Sequence, residues 1–273
     1  MGMSRASFFA IALAGAVSCA GAALATDDDV GRAARWHDLQ ASIFGDRVVE
    51  PGEDAVSLDA PKRALDAALV PITVTTAPGS NVTGLYVVID DNPGPLAARV
   101  EFGPRGDPSQ LTLRVRVNQY TLMHAVAETA DGRLVGSERF VKAAGGCSAP
   151  VGANEAQSLA EIGRMKLRLD GAVKAGQAVD AQLMIRHPNY NGMQMDQLTR
   201  LYTPMRIVQH LEVTLNGERV LVMEGDISLS TDPVIGFRFV PQASDLPGKL
   251  KVVARDSDNA LFEQSFNVPA GGS

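Results

Sequence analysis

The chain has 273 residues, 31 of them acidic and 25 basic, with 45% hydrophobic but only 5% aromatic residues. The mild net charge of −6, the lack of a basic cluster and the scarcity of aromatics around a single Trp36 argue against nucleic acid as a partner. After the first residues no apolar run approaches the ~20 residues that a membrane-crossing helix requires, so stable membrane insertion is not expected.

Residues 1–25 read as an export signal: Arg5 gives a short positive start, "ASFFAIALAGAVSCAGAALA" is apolar and small, and Ala23 to Ala25 form a small-residue cleavage site ahead of an acidic start. The predicted location is therefore periplasmic, with cleavage near Ala25. Cys19 in "AVSCAG" is similar to a lipoprotein site, but Ala16 stands where leucine is usual, and the twin-arginine pair is absent. Removing 25 of the 273 residues leaves 248, enough for one large domain or two small ones.

From Thr26 the pattern is helical: Trp36, Leu39, Ile43 and Phe44 form one apolar stripe that Gly45 ends. The period then changes to two. Val70, Ile72 and Val74 alternate with polar or turn residues, as do Leu111, Leu113, Val115 and Val117. "GLYVVID" and "LAARVEF" flank the turn-rich "DNPGP", and Asp131-Gly132 centres a further hairpin. After residue 160 alternation restarts in "MKLRLDG" and "QAVDAQLMIRHP". A hairpin follows at Asn216-Gly217, then "PVIGFRFVP", and then a pair joined near Asp258-Asn259. The predicted fold is all-β: a short N-terminal helix and two immunoglobulin-like β-sandwiches, at 26–142 and 161–273, joined by a Gly/Ala linker at 143–160.

That linker holds Cys147, the one cysteine left after the signal, so no internal disulfide is expected. Its neighbours Gly145, Gly146, Ser148, Ala149 and Pro150 show no apolar period with which to bury it. The expectation is an exposed thiol on pliable backbone, with Gly145 and Gly146 as hinge and a reach of roughly 17 Å at ~3.4 Å per residue from Lys142. Only Lys142 and Arg139 stand near in sequence, so a strongly activated thiolate is not expected.

His187, Met193, Met195 and Met205, with His210 beyond, offer soft ligands for copper, but their spacing is loose. The ordinary reading is gap-filling methionines and hydrogen-bonded histidines. His37 and His124 have no partner identifiable from sequence, "RGD" at Arg105 to Asp107 reads as a chance match in a turn-rich loop, and no nucleophile elbow is present.

The first half, with "WHDLQASIFGDRVVEPG", "NPGPLA" and "ETADGRLVGSERFVKAAGGC", resembles the sulfur-carrier subunit SoxY. The second, with "IRHPNYNGMQMD" and "TPMRIVQHLEVTLNGERVLVMEGDISLSTDPVIGFRF", resembles its partner SoxZ. Their order and fusion resemble the SoxYZ-like carriers associated with quinoprotein dehydrogenases. The resemblance implies a carrier without turnover or cofactor of its own, holding thiosulfate-derived or related sulfur intermediates on Cys147 as a swinging arm. It implies pairing of the two halves, and partners among periplasmic sulfur-oxidation enzymes or a quinoprotein dehydrogenase system. One departure is that the chain continues past Cys147, and Ser148 stands where glycine is usual, so the arm is tied at both ends. The alternatives are a copper-binding or delivery module using His187, Met193 and Met195, and an interaction domain linked through a Cys147 disulfide.

Overall fold

The computed structural model describes residues 27–150, 159–196 and 199–270. The expected signal segment, Cys19 and part of the 143–160 linker lie outside the described residues. The chain forms α1 (Asp27–Phe44) and then fifteen strands. In the first half these are β1 (Val49–Pro51), β2 (Val56–Asp59), β3 (Val70–Thr76), β4 (Val82–Ile89), β5 (Leu96–Phe102), β6 (Gly106–Val115), β7 (Thr121–Thr129) and β8 (Leu134–Val141). The second half supplies β9 (Met165–Asp170), β10 (Val179–Ile185), β11 (Val208–Leu215), β12 (Glu218–Gly225), β13 (Val234–Phe239), β14 (Gly248–Asp256) and β15 (Leu261–Val268).

The all-β class and the N-terminal helix are as the periodicity predicts. The alternation in β3 and β10 translates directly into alternating buried and exposed side chains. Helix α1 docks its stripe on one sheet face: Phe44 meets Tyr86 edge to face at 5.1 Å, and Trp36 stacks on His124 at 3.6 Å. His124, without a partner in the sequence reading, is buried with Nε2 3.1 Å from Asp90 Oδ2. Asn216-Gly217 is the two-residue turn expected, both residues having positive φ and Leu215 pairing with Glu218. At Asp131-Gly132 the Thr129 N–H instead bonds to Arg133 O at 3.0 Å, so the loop holds three residues.

Each half supplies strands to two facing layers, as a sandwich requires, and the layers run on from one half into the other. A nine-stranded sheet runs β1-β8-β7-β4-β5-β12-β11-β14-β15, and a six-stranded sheet runs β2-β3-β6-β13-β10-β9. Each crosses from first half to second through an antiparallel seam, β5 with β12 and β6 with β13. The seams remove four edges that would otherwise expose unpaired backbone groups. One hydrophobic cluster, from Val56 and Leu85 through Phe237 to Val252, fills the space between the layers across both halves. The "GPRGD" loop is part of this joint: Gly103 N–H donates to Val220 O at 2.9 Å and Arg105 Nε to Asp245 Oδ2 at 2.6 Å. Among the described residues no helix is long and apolar enough to cross a membrane.

Candidate functional site

At one end of the β6–β13 seam the chain leaves β6 through Arg116, Val117 and Asn118. The segment after β8 folds back onto these three residues. Gly145 N–H donates to Asn118 O at 2.8 Å and Gly146 N–H to Val117 O at 2.9 Å, while Val117 N–H donates to Ala67 O at 2.8 Å. Gly145 needs its glycine for the turn, at φ +79° with open space around it. Gly146 needs its own for a different reason. A Cβ there would stand far inside van der Waals contact with Ala67 O and 2.7 Å from Val117 O.

This fold-back corrects the expectation of an exposed arm. Cys147 is fully buried, at 0% exposure, while Ala144, Gly145 and Ser148 beside it in sequence are exposed. Burial comes from the tertiary neighbours and not from the linker's own pattern. Asn191 Nδ2 of the second half donates to Cys147 O at 2.8 Å, and Arg116 Nη1 donates to Gly146 O at 3.4 Å. In this conformation Gly146 is fixed by close packing and Gly145 by its backbone angle. The sulfur thus lies at the junction of the halves, under a turn whose outer residues face solvent.

A buried polar network surrounds it. The Arg116 guanidinium also contacts Leu229 O, Asn189 O and Thr231 Oγ1, the last at 2.7 Å. Asn189 donates through Nδ2 to Leu229 O at 3.0 Å and accepts from Val208 N–H at 2.9 Å. Asn92 bridges Arg116 O and Ser228 Oγ, binding the loop before β5 to the second half. Sequence reasoning missed Arg116, Asn92, Asn189, Asn191 and Gln194. Their signal was polar residues, Arg116 and the "HPNYNGMQ" run, where strand ends enter a core.

Burial pushes the Cys147 thiol up to about 11 from 9.0, and the Arg116 charge only partly opposes it. In the folded protein the thiol therefore keeps its proton longer than in the unfolded chain. The stability this contributes is complete below about pH 9 and disappears as pH rises through about 11. Two units correspond to roughly 2–3 kcal/mol. Thermal melts across this range are expected to show a fall in wild-type Tm that Cys147→Ala lacks; parallel curves would contradict the assigned burial.

The candidate soft ligands occupy different settings. His187 is fully buried, with Nδ1 accepting the Asn189 N–H at 3.0 Å and Nε2 3.5 Å from Asp256 Oδ2. Burial holds its pKa below the ordinary histidine value against the pull of Asp256. Burial also acts to raise Asp256, but the Ala260 N–H and Arg206 outweigh it and leave this carboxyl below its usual range. With both ring nitrogens committed, His187 is a core histidine. Met195 bridges to Tyr202 on an exposed loop, Met205 is exposed, and His210 sits on β11 against Glu224 at 2.7 Å. Among the described residues no cluster of three His, Cys, Asp or Glu side chains suited to a metal occurs.

The fold and site define a two-module β protein whose lone thiol, among the described residues, sits in a glycine turn at the module junction. The model for the sulfur oxidation protein SoxY matches residues 40–147, ending on Cys147, and that for the sulphur oxidation protein SoxZ matches residues 167–267. The chain thus carries a SoxY family domain and a SoxZ family domain in one polypeptide, consistent with a fused SoxYZ-like carrier. Among curated proteins no relative matches. A solved structure similar to the first half is the sulfur carrier protein SoxY from Chlorobium limicola f thiosulfatophilum. It is 27% identical, with 41% of this chain and 94% of that chain covered and a TM-score of 0.36. Another is a superoxide reductase (neelaredoxin) from Ignicoccus hospitalis, 13% identical, covering 33% of this chain and 81% of that one, with a TM-score of 0.30.

Proposed function

We propose that this protein is an exported, periplasmic carrier that binds a sulfur intermediate covalently at Cys147 and presents it to partner enzymes, without turnover of its own. The observation that carries this reading is the coincidence of three features at one residue. Cys147 is the last position of the SoxY match, it lies where the SoxY-like and SoxZ-like halves meet, and its turn is exposed on the outer side.

The closed turn stores the thiol in protonated, shielded form. Few contacts hold it: the Asn191 bond to Cys147 O, the Arg116 bond to Gly146 O, and the backbone bonds of Gly145 and Gly146. A local opening breaks these without disturbing the strand seams, the kind of low-cost excursion that exposed turns make. Because the chain continues past Cys147, the opened segment is a loop tied at both ends. Joining the thiol to a reduced sulfur anion forms one S–S bond and releases one proton and two electrons. Loading therefore calls for a partner with an electron acceptor, a periplasmic sulfur-metabolising enzyme or a quinoprotein dehydrogenase system.

Intact mass of protein taken from its native host tests the proposal. The expected result is an adduct on Cys147 that dithiothreitol removes, on a chain beginning near Thr26. Unmodified protein carrying copper would overturn it in favour of the delivery module, and covalent dimers lost on reduction would favour an intermolecular disulfide.

A further inference from the structure

Arg116 is 2% exposed, and a guanidinium stays charged at any ordinary pH. Arg105, Arg206 and Arg238 each meet a carboxylate, at 2.6, 2.9 and 3.0 Å. Among the described residues Arg116 forms no such ion pair. Its partners are three carbonyls at 3.3 to 3.4 Å and the Thr231 hydroxyl at 2.7 Å, four contacts for a group with five N–H donors. The three carbonyl contacts lie at the long limit of a hydrogen bond. The charges that act on it through space are Cys147 and the exposed Asp66.

A second donor lies on the same network. Gln194, 1% exposed, accepts the Asn191 N–H through Oε1 at 3.0 Å and leaves Nε2 without a partner among the described residues. Asn191 in turn holds Cys147 O. A buried cation with no carboxylate costs several kcal/mol of desolvation unless something negative joins it. The group in this junction that acts most strongly on Arg116 and can gain negative charge is Cys147 with whatever it carries.

We propose that the Arg116 guanidinium is the docking point for the negatively charged end of an adduct on Cys147, so that the closed junction is a binding site for anionic adducts and disfavours cationic ones. This rests on Cys147 as the attachment point. On this view the loaded arm returns to the junction, where the adduct's charge replaces the missing carboxylate. Release to a partner then requires that the partner offer the anion a competing cation.

The test uses the full chain and two thiol reagents of similar size and opposite charge, 2-sulfonatoethyl and 2-trimethylammonioethyl methanethiosulfonate. In each case the Cys147 thiolate attacks the sulfenyl sulfur, an S–S bond forms, and methanesulfinate leaves with the electron pair of the broken bond. The rate at which neutral dithiothreitol removes each adduct is measured in the folded protein and in urea, where the unfolded chain gives the intrinsic ratio. Relative to that ratio, the anionic adduct is expected to be released about tenfold or more slowly than the cationic one, the effect of one charged hydrogen bond. Arg116→Gln is expected to erase the difference and Arg116→Lys to keep part of it. Equal folded and unfolded ratios in the wild type, a comparison needing no variant, would overturn the proposal, as would a difference that survives Arg116→Gln. If neither reagent ever labels the folded chain, carriage on Cys147 itself falls, an outcome distinct from labelling without charge preference.

Discussion

Cys147→Ala is expected to abolish carriage completely: no adduct by mass, and no transfer in a reconstituted reaction with the partner enzymes, because no second cysteine exists outside the segment read as the signal. The fold is expected to survive. The change removes one buried sulfur and leaves the hydrogen bonds of the turn, which run through backbone atoms of Gly145, Gly146 and Cys147, in place. The cost is about 1–2 kcal/mol, at the low end of large-to-small core changes. For a chain of this size that lowers Tm by only a few degrees. A variant that melts within a few degrees of the wild type yet transfers nothing is the expected signature. Sustained transfer by Cys147→Ala would end the carrier reading. Serine is the poorer choice at this site, since it buries a hydroxyl that the surrounding contacts do not provide for.

Gly146→Ala is expected to force the thiol into the open. Its new Cβ collides with backbone atoms, Ala67 O and Val117 O, which unlike a flexible side chain have no alternative rotamer. Closing the turn then costs about 1–3 kcal/mol, the range for steric strain in a packed site. The cheaper response is for the turn to lift away. Alkylation of Cys147 is expected to accelerate at least tenfold for every ~1.4 kcal/mol by which the closed state is weakened. It is expected to do so with little change in Tm, because the seams and the shared core are untouched. Gly145→Ala provides the contrast. It meets no atom within 4 Å and carries only the left-handed backbone penalty at φ +79°, about 1 kcal/mol, so a smaller acceleration is expected. Equal alkylation of wild type and Gly146→Ala would show that this close approach does not hold the turn shut.

Much of the architecture could be read from the residues. The stripe of Trp36, Leu39, Ile43 and Phe44 becomes α1, and the strict alternation in Val70–Thr76 and Val179–Ile185 becomes β3 and β10. Asn216-Gly217 makes its tight turn because the two positive φ values it requires favour those residue types. Such signals are local, so a window of a few residues contains them. The same local reading failed at Cys147. Its flanks carry no apolar period, yet the sulfur is buried, because its cover arrives from Arg116, 31 positions earlier, and Asn191, 44 positions later. His187 is the hydrogen-bonded histidine of the ordinary reading, but its partner Asp256 lies 69 residues away, outside any local window.

The N-terminal helix, the longer strands, the hairpin positions, the SoxY and SoxZ character of the halves and the single thiol after residue 25 are thus legible along the chain, while the short β1 and β2 are not. The two continuous sheets shared by the halves, the packing that fixes Gly146 and the buried arginine without a carboxylate beside the thiol arise from the folded arrangement alone. The physical reason is range. Backbone propensity and side-chain period act between near neighbours along the chain, whereas burial, charge compensation and steric exclusion depend on which distant segments the closed sheets bring into contact.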